Sequence, residues 1–180
     1  MDDKTQHWMQ TYTGRQFFPF APERSDVVIE DIAHHLSLLC RFTGACRVHY
    51  SVAQHCVVVS QLVPAEFAFE GLMHDAAEAY TNDMARPHKK GLPDFKSMEA
   101  AIEARIAAVF HLPTPMPACV KHADEVAVAT EARDLMANAP TLWQLGAKAF
   151  VGIRIEPMPA LEAERAFLDR YRELAGVVVR

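Results

Sequence analysis

The chain has 180 residues, 51% of them apolar and 23% charged, with a formal net charge of −5. That length suits one domain over residues 1–180 around a single buried core, and the composition excludes a disordered or fibrous polymer. The 18 basic residues gather into no stripe that would track a nucleic-acid backbone, so polymeric DNA or RNA is not an expected partner.

The opening MDDKTQHWMQ is acidic and has neither the basic nor the apolar region of a secretory signal. No aliphatic run reaches the roughly 20 residues of a membrane span, so a cytoplasmic protein without a membrane partner is expected. Gly14 to Phe20 and Gly152 to Ile155 read as extended, together a short β-ribbon. The remainder reads as helices. Asp26 to Arg41 sets Ile29, Ile32, Ala33, Leu36 and Leu39 on one side, and Gly44 ends it.

Ser51 and Gln54 stand in the S-x-x-Q relation of a capping box, so a second helix starts at Ser51 with His55 in its first turn. Pro64 breaks it, and a third helix runs from Ala65 to Tyr80. TNDMARPHKKGLPD then reads as a loop of about fourteen residues, long enough to suggest a functional role. Further helices span Ser97 to His111, Pro117 to Asn138 and Pro159 to Ala175, with LPTPMP as a linker. The fold class is all-α with a short β-ribbon. Cys40, Cys46, Cys56 and Cys119 form no CxxC pair and read as reduced thiols without assigned chemistry.

Chemistry-bearing residues concentrate on the third helix. His74, Asp75 and Glu78 lie three and four positions apart and project together, while Leu72, Met73, Ala76, Ala77 and Tyr80 cover the rest. An ordinary amphipathic helix shows the same triplet on its wet side, so this helix alone leaves both readings open. Two residues elsewhere tilt the balance. His55 sits on a helix that is apolar nearly all round, and Asp124 lies among Val120, Ala123, Val126 and Ala127. A buried carboxylate without a cation or donors costs several kcal/mol, of order 2–7 for polar groups and more for charges. A lone buried histidine is usually satisfied by a backbone carbonyl, but one that meets an His-Asp pair has metal ligation as a second option. Two imidazoles and two carboxylates suit one divalent ion among Zn, Fe, Co, Ni, Mn and Mg.

The spaced pattern His55, His74–Asp75 and Asp124 resembles the HD-domain metal-dependent phosphohydrolases, all-α helical bundles whose four ligands come from separate helices. Within that superfamily the chain resembles single-domain bacterial 5′-deoxynucleotidases and small phage-type deoxynucleoside triphosphate triphosphohydrolases. Their HDxxE…GD…P…K pattern is matched by His74, Asp75, Glu78, Asp83, Pro87 and Lys89, with Asn82 in place of glycine. Their arginine-aromatic pair is matched by Arg41 and Phe42, where tryptophan is the common aromatic. Ala79 stands where the stringent-response hydrolases carry an acid, and no GYP follows as in the cyclic-dinucleotide branch.

The resemblance implies His55, His74, Asp75 and Asp124 as metal ligands and Glu78 as general base, with Asp83 orienting a ligand or a substrate hydroxyl. Arg41, Phe42, Pro87 and Lys89 would contact substrate, with Arg86, Lys90 and Arg47 as weaker candidates. His34, His35 and His49 read as structural, with His34 or His35 as an alternative lining of the pocket. The expected reaction removes the 5′-phosphate of small deoxynucleoside monophosphates. Release of triphosphate from deoxynucleoside triphosphates is the alternative, and a non-catalytic regulatory module or plain helical scaffold is a more distant one. Related small enzymes assemble, and the apolar tail 176–179 offers a surface for it, so a homo-oligomer is expected.

Overall fold

Ser51 does cap the second long helix: its hydroxyl accepts from the Gln54 backbone N–H at 3.2 Å, satisfying one of the unpaired donors of the first turn. In the computed structural model, which describes residues 3–141 and 143–178, this helix is the centre of the fold. We label the elements β1 (Met9–Gln10), β2 (Gln16–Phe17), α1 (Ile29–Leu38), α2 (Val52–Leu62), α3 (Ala68–Met73), α4 (Glu78–Thr81), α5 (Arg86–Lys90), α6 (Pro93–Phe110), α7 (Ala118–Leu135) and α8 (Ala160–Val178). The architecture is all-α with a two-stranded ribbon.

Every residue of α2 from Val52 to Ser60 is buried, because α1, α3, α7 and α8 all pack against it. α3 comes close to α2 at Gly71, where an added Cβ would lie 3.0 Å from Val63 Cγ2 and 3.1 Å from the Ser60 Cα. Only a residue without a side chain lets α3 lie this near α2, and that proximity carries His74 toward His55. No helix among the described residues is long and apolar enough to cross a membrane.

Several expected boundaries shift for identifiable reasons. The helix expected over 65–80 is broken: a 3₁₀ turn at Ala65–Phe67 precedes α3, and tight turns over 74–77 separate α3 from α4. There the backbone bonds skip only three residues, Ala76 N–H to Met73 C=O at 3.1 Å and Glu78 N–H to Asp75 C=O at 3.0 Å. This tighter winding changes the angle between successive side chains around the HD pair. The expected loop after Tyr80 contains α5, and α6 starts at Pro93 rather than Ser97; both helices place proline in the first turn, where its missing N–H costs nothing.

The ribbon is real, but its partners differ from those expected. Met9 pairs with Phe17 and Gln10 with Gln16, antiparallel, while residues 152–155 form no strand. The backbone of that segment is held instead by side chains at the end of α7: Arg133 donates to the Ile153 carbonyl at 2.7 Å, and Asp134 accepts from the Ile155 N–H at 2.8 Å. Phe17, fully buried, stacks on Tyr80 at 3.8 Å and anchors the ribbon to α4. The side chains of the tail from residue 177 onward lie outside the described residues.

Candidate functional site

α1 ends at Leu38, so Arg41 lies on no α-helix, contrary to the expected helix over 26–41. Cys40 and Ser51 form an isolated antiparallel bridge, with Arg41 N–H bonded to the Tyr50 carbonyl at 2.9 Å. This fold-back is closed by a turn in which Phe42 (φ 55) and Thr43 (φ 54) adopt the left-handed conformation, costly for a β-branched residue. It brings Arg41, fourteen positions before His55 in sequence, directly over the start of α2.

The structure brings His55, His74 and Asp75 into one cluster, their ligand atoms all within 4.8 Å of one another. His55 Nε2 lies 3.3 Å from His74 Nε2, 3.5 Å from Asp75 Oδ2 and 3.3 Å from Asp124 Oδ1. His74 Nε2 lies 3.2 Å from Asp75 Oδ2. Both imidazoles are oriented from behind: His55 Nδ1 meets Glu131 Oε1 at 2.6 Å and His74 Nδ1 meets the Gly71 carbonyl at 2.9 Å. In the neutral imidazoles those acceptors favour the proton on each Nδ1, which turns the His55 Nε2 lone pair toward Asp75 and Asp124 and that of His74 toward Asp75.

With neutral imidazoles these electron pairs face one another without a hydrogen between them, an arrangement that needs positive charge from a metal ion or from protonation. Two donors about 2.1 Å from one ion lie roughly 3.0–3.4 Å apart, close to the observed separations. The chemistry of the donor set, two imidazole nitrogens and two carboxylate oxygens, therefore fits a divalent metal ion held by His55, His74, Asp75 and Asp124. Protonation is the competing way to supply positive charge. Burial alone would depress the His74 imidazole, but the Asp75 carboxylate, its hydrogen bond and Cys56 overcome this and raise it to about 10. Burial likewise favours a neutral Asp75, yet His74 and His55 hold it well below the usual carboxylate range.

The cluster opens into a cavity of about 410 Å³ lined by Arg41, Phe42, Asp75, Glu78, Asp83 and Lys89, among others. Around it the carboxylates of Asp75, Glu78, Asp83, Asp124 and Glu131 outnumber the cations Arg41, Arg86 and Lys89. With neutral imidazoles and all five acids ionised, this surplus of negative charge would repel an anion unless a metal offset it. A second cavity, about 540 Å³ and walled by Met73, Ile106, Leu112, Met116 and Val120, also reaches His74 and Asp124, but its one basic chain is Lys121 apart from His74. The first cavity is the better anion pocket.

Glu78 is buried, and its Oε2 has no hydrogen-bond partner among the described residues. Burial and the nearby Asp75 and Asp83 carboxylates push its carboxyl well above the usual range. Asp83 sits 3.5 Å from Arg41 Nη1 and so holds that guanidinium. Lys89 lines the cavity, but its ammonium donates to Glu99 at 2.6 Å and stands 3.7 Å from Glu78. Arg86 pairs with Asp124 Oδ2 at 3.1 Å. Phe42 and Pro87 line the wall, and Phe42 meets Trp143 with ring centroids 5.8 Å apart. Arg47 is turned away, donating to the Asp134 and Met136 carbonyls at the end of α7.

His34, His35 and His49 are structural, bonded respectively to Glu164, the Ala79 carbonyl and the Ser37 carbonyl. The four cysteines are free. The sequence reading missed Glu131, Tyr50 and Trp143. Glu131 lies seven positions after Asp124, two turns along the same face of α7, and that spacing was the available signal. Tyr50 and Trp143 carry none.

No family model matches the chain. It is similar to a protein of Rhodobacter capsulatus that is uncharacterized, 30% identical over 186 residues that cover 93% of this chain and 95% of the relative. It is also 43% identical over 170 residues to the uncharacterized protein YfdR of Escherichia coli, covering 93% of this chain and 96% of that protein. At that identity over nearly the full length of both proteins, the chain belongs to the YfdR family.

Proposed function

We propose that this protein is a divalent-metal-dependent phosphohydrolase of the HD-domain type that removes the 5′-phosphate of small deoxynucleoside monophosphates. The observation that carries this reading is the convergence of His55 Nε2, His74 Nε2 and Asp75 Oδ2 within 4.8 Å of one another, beside Asp124. When bound, a divalent ion polarises a phosphate oxygen and lowers the pKa of a water molecule. The residues of the chain supply the remaining work. Glu78, beside the cluster with a free carboxylate oxygen, positions the attacking water and takes its proton. Arg41, held by Asp83 and Glu131, presents a fixed planar fork to the phosphate. Phe42, Pro87 and Trp143 form the apolar wall against which a nucleoside rests.

The cation supply favours the monophosphate over the triphosphate. Lys89 is engaged by Glu99 and Arg86 by Asp124, so beyond Arg41, already assigned to one phosphate, no unpaired cation among the described residues lines the cavity for a second and third phosphate. The test is a nucleotide panel assayed with chelated protein before and after adding back Mn²⁺ or Co²⁺, with orthophosphate and triphosphate separated. Orthophosphate from deoxynucleoside monophosphates, only with metal, is expected. Triphosphate from the triphosphates would instead establish the alternative, and no release by metal-loaded protein would favour a non-catalytic module.

A further inference from the structure

A buried acid outside the ligand set joins the two halves of the site. Glu131 is fully buried on α7, and both of its oxygens are engaged differently. Oε1 accepts from His55 Nδ1–H at 2.6 Å and from the Tyr50 hydroxyl at 2.8 Å. Oε2 lies 3.5 Å from Arg41 Nη2 and has no hydrogen bond among the described residues. The guanidinium it faces is itself buried, and its other end points at Asp75 and Asp83, 3.6 Å and 3.5 Å away.

We propose that Glu131 is a positioning residue that couples metal loading to anion binding, by holding the His55 imidazole with one carboxylate oxygen and the Arg41 guanidinium with the other. This rests on the metal-site reading above, but not on the identity of the substrate. A carboxylate behind a ligating histidine fixes the tautomer, aims the ring and makes the ligating nitrogen more basic. The same charge keeps Arg41 in place although that side chain must enter a buried site. Coupling of this kind is reciprocal: a cation at His55 fixes Glu131, and with it the Arg41 fork, in the geometry that receives an anion, and an anion at Arg41 fixes Glu131 behind His55. Tyr50 serves the same end by fixing Oε1. Its backbone carbonyl also receives the Arg41 N–H, so a single residue braces both contacts.

Glu131→Gln keeps the size and one acceptor but removes the charge and turns an amide toward one of the two partners. Wild type, Glu131→Gln and Tyr50→Phe, all freed of metal by chelation, are titrated with Co²⁺ by calorimetry and visible absorption. Inorganic phosphate is then titrated into each at saturating Co²⁺, and melting temperatures are recorded. Glu131→Gln is expected to bind Co²⁺ about 10–100-fold more weakly, and to bind phosphate more weakly even when fully loaded. Tyr50→Phe should lose less, in the same direction. A folded Glu131→Gln with unchanged Co²⁺ affinity overturns the proposal, even if its melting temperature falls, because a purely structural acid would do only that. If Glu131→Gln does not fold, Tyr50→Phe with unchanged Co²⁺ affinity overturns it. A wild type that takes up no Co²⁺ removes both this proposal and the metal reading. Intact Co²⁺ and phosphate effects without nucleotide hydrolysis would sink the substrate reading alone.

Discussion

The floor and the rim of the cavity are built on different principles. The floor consists of side chains on α2, α7 and the turn after α3, where His55 and Glu131 are 0% exposed and every imidazole nitrogen has a defined neighbour. The rim comes from the fold-back at 41–44, the segment 82–92 and the chain after α7, where the Arg86 side chain is 61% exposed and Trp143 is 41% exposed. Helices packed on several sides hold a donor set within the few tenths of an ångström that a metal demands, whereas the rim mixes the buried Arg41 with exposed side chains such as Arg86 and Trp143. On the proposed function, the floor would set the chemistry and the rim the substrate.

Glu78→Gln separates the two regions most sharply. It should lower kcat by about 10²–10⁴-fold while Co²⁺ binding, measured by calorimetry, stays near wild type. Loss of metal together with activity would make Glu78 a ligand rather than a water-handling group. Next in size is Arg41→Lys, which keeps the charge but loses the fork. Its KM for a deoxynucleoside monophosphate should rise by roughly 10–100-fold, matching about 1.5–3 kcal/mol for a hydrogen bond to a charged group. A change in kcat alone would place Arg41 with the floor.

Gly71→Ala probes the scaffold under the floor. Its added Cβ meets Val63 and the Ser60 backbone, so α3 must move away from α2. Thermal unfolding should show a loss of about 1–3 kcal/mol, with weaker metal binding because His74 moves with α3. The smallest effect belongs to the rim. Asn82 has φ 68 and ψ 157, a region suited to glycine, so Asn82→Gly should gain about 1 kcal/mol by relieving strain. A destabilised Asn82→Gly would mean that the asparagine side chain makes a compensating contact.

The same division explains what the sequence made legible. His55 and Asp124 stood out because each interrupts a stretch whose apolar neighbours require burial, and a buried polar group must have a purpose. The Ser51 cap was visible because its hydrogen bond is local. Glu131 escaped because a glutamate near the end of a helix ordinarily faces water; its burial is made tolerable by His55 together with the fold-back of Arg41 and Tyr50 over it. The break at 74–77 escaped because no residue there breaks helices by itself. The ribbon was half legible, since β2 lies within Gly14 to Phe20 but the backbone at 152–155 is bonded by Arg133 and Asp134 instead. The rim resisted most, because cations such as Lys89 and Arg86 take their meaning from acids on other helices.

The central claim is that His55, His74, Asp75 and Asp124 together hold one divalent ion. Calorimetric titration of chelated protein with Co²⁺, wild type beside Asp75→Asn, tests it most directly. The account predicts one ion per chain in the wild type and no measurable binding in Asp75→Asn, with both proteins equally helical. Equal binding by the two, or none by a folded wild type, would contradict it.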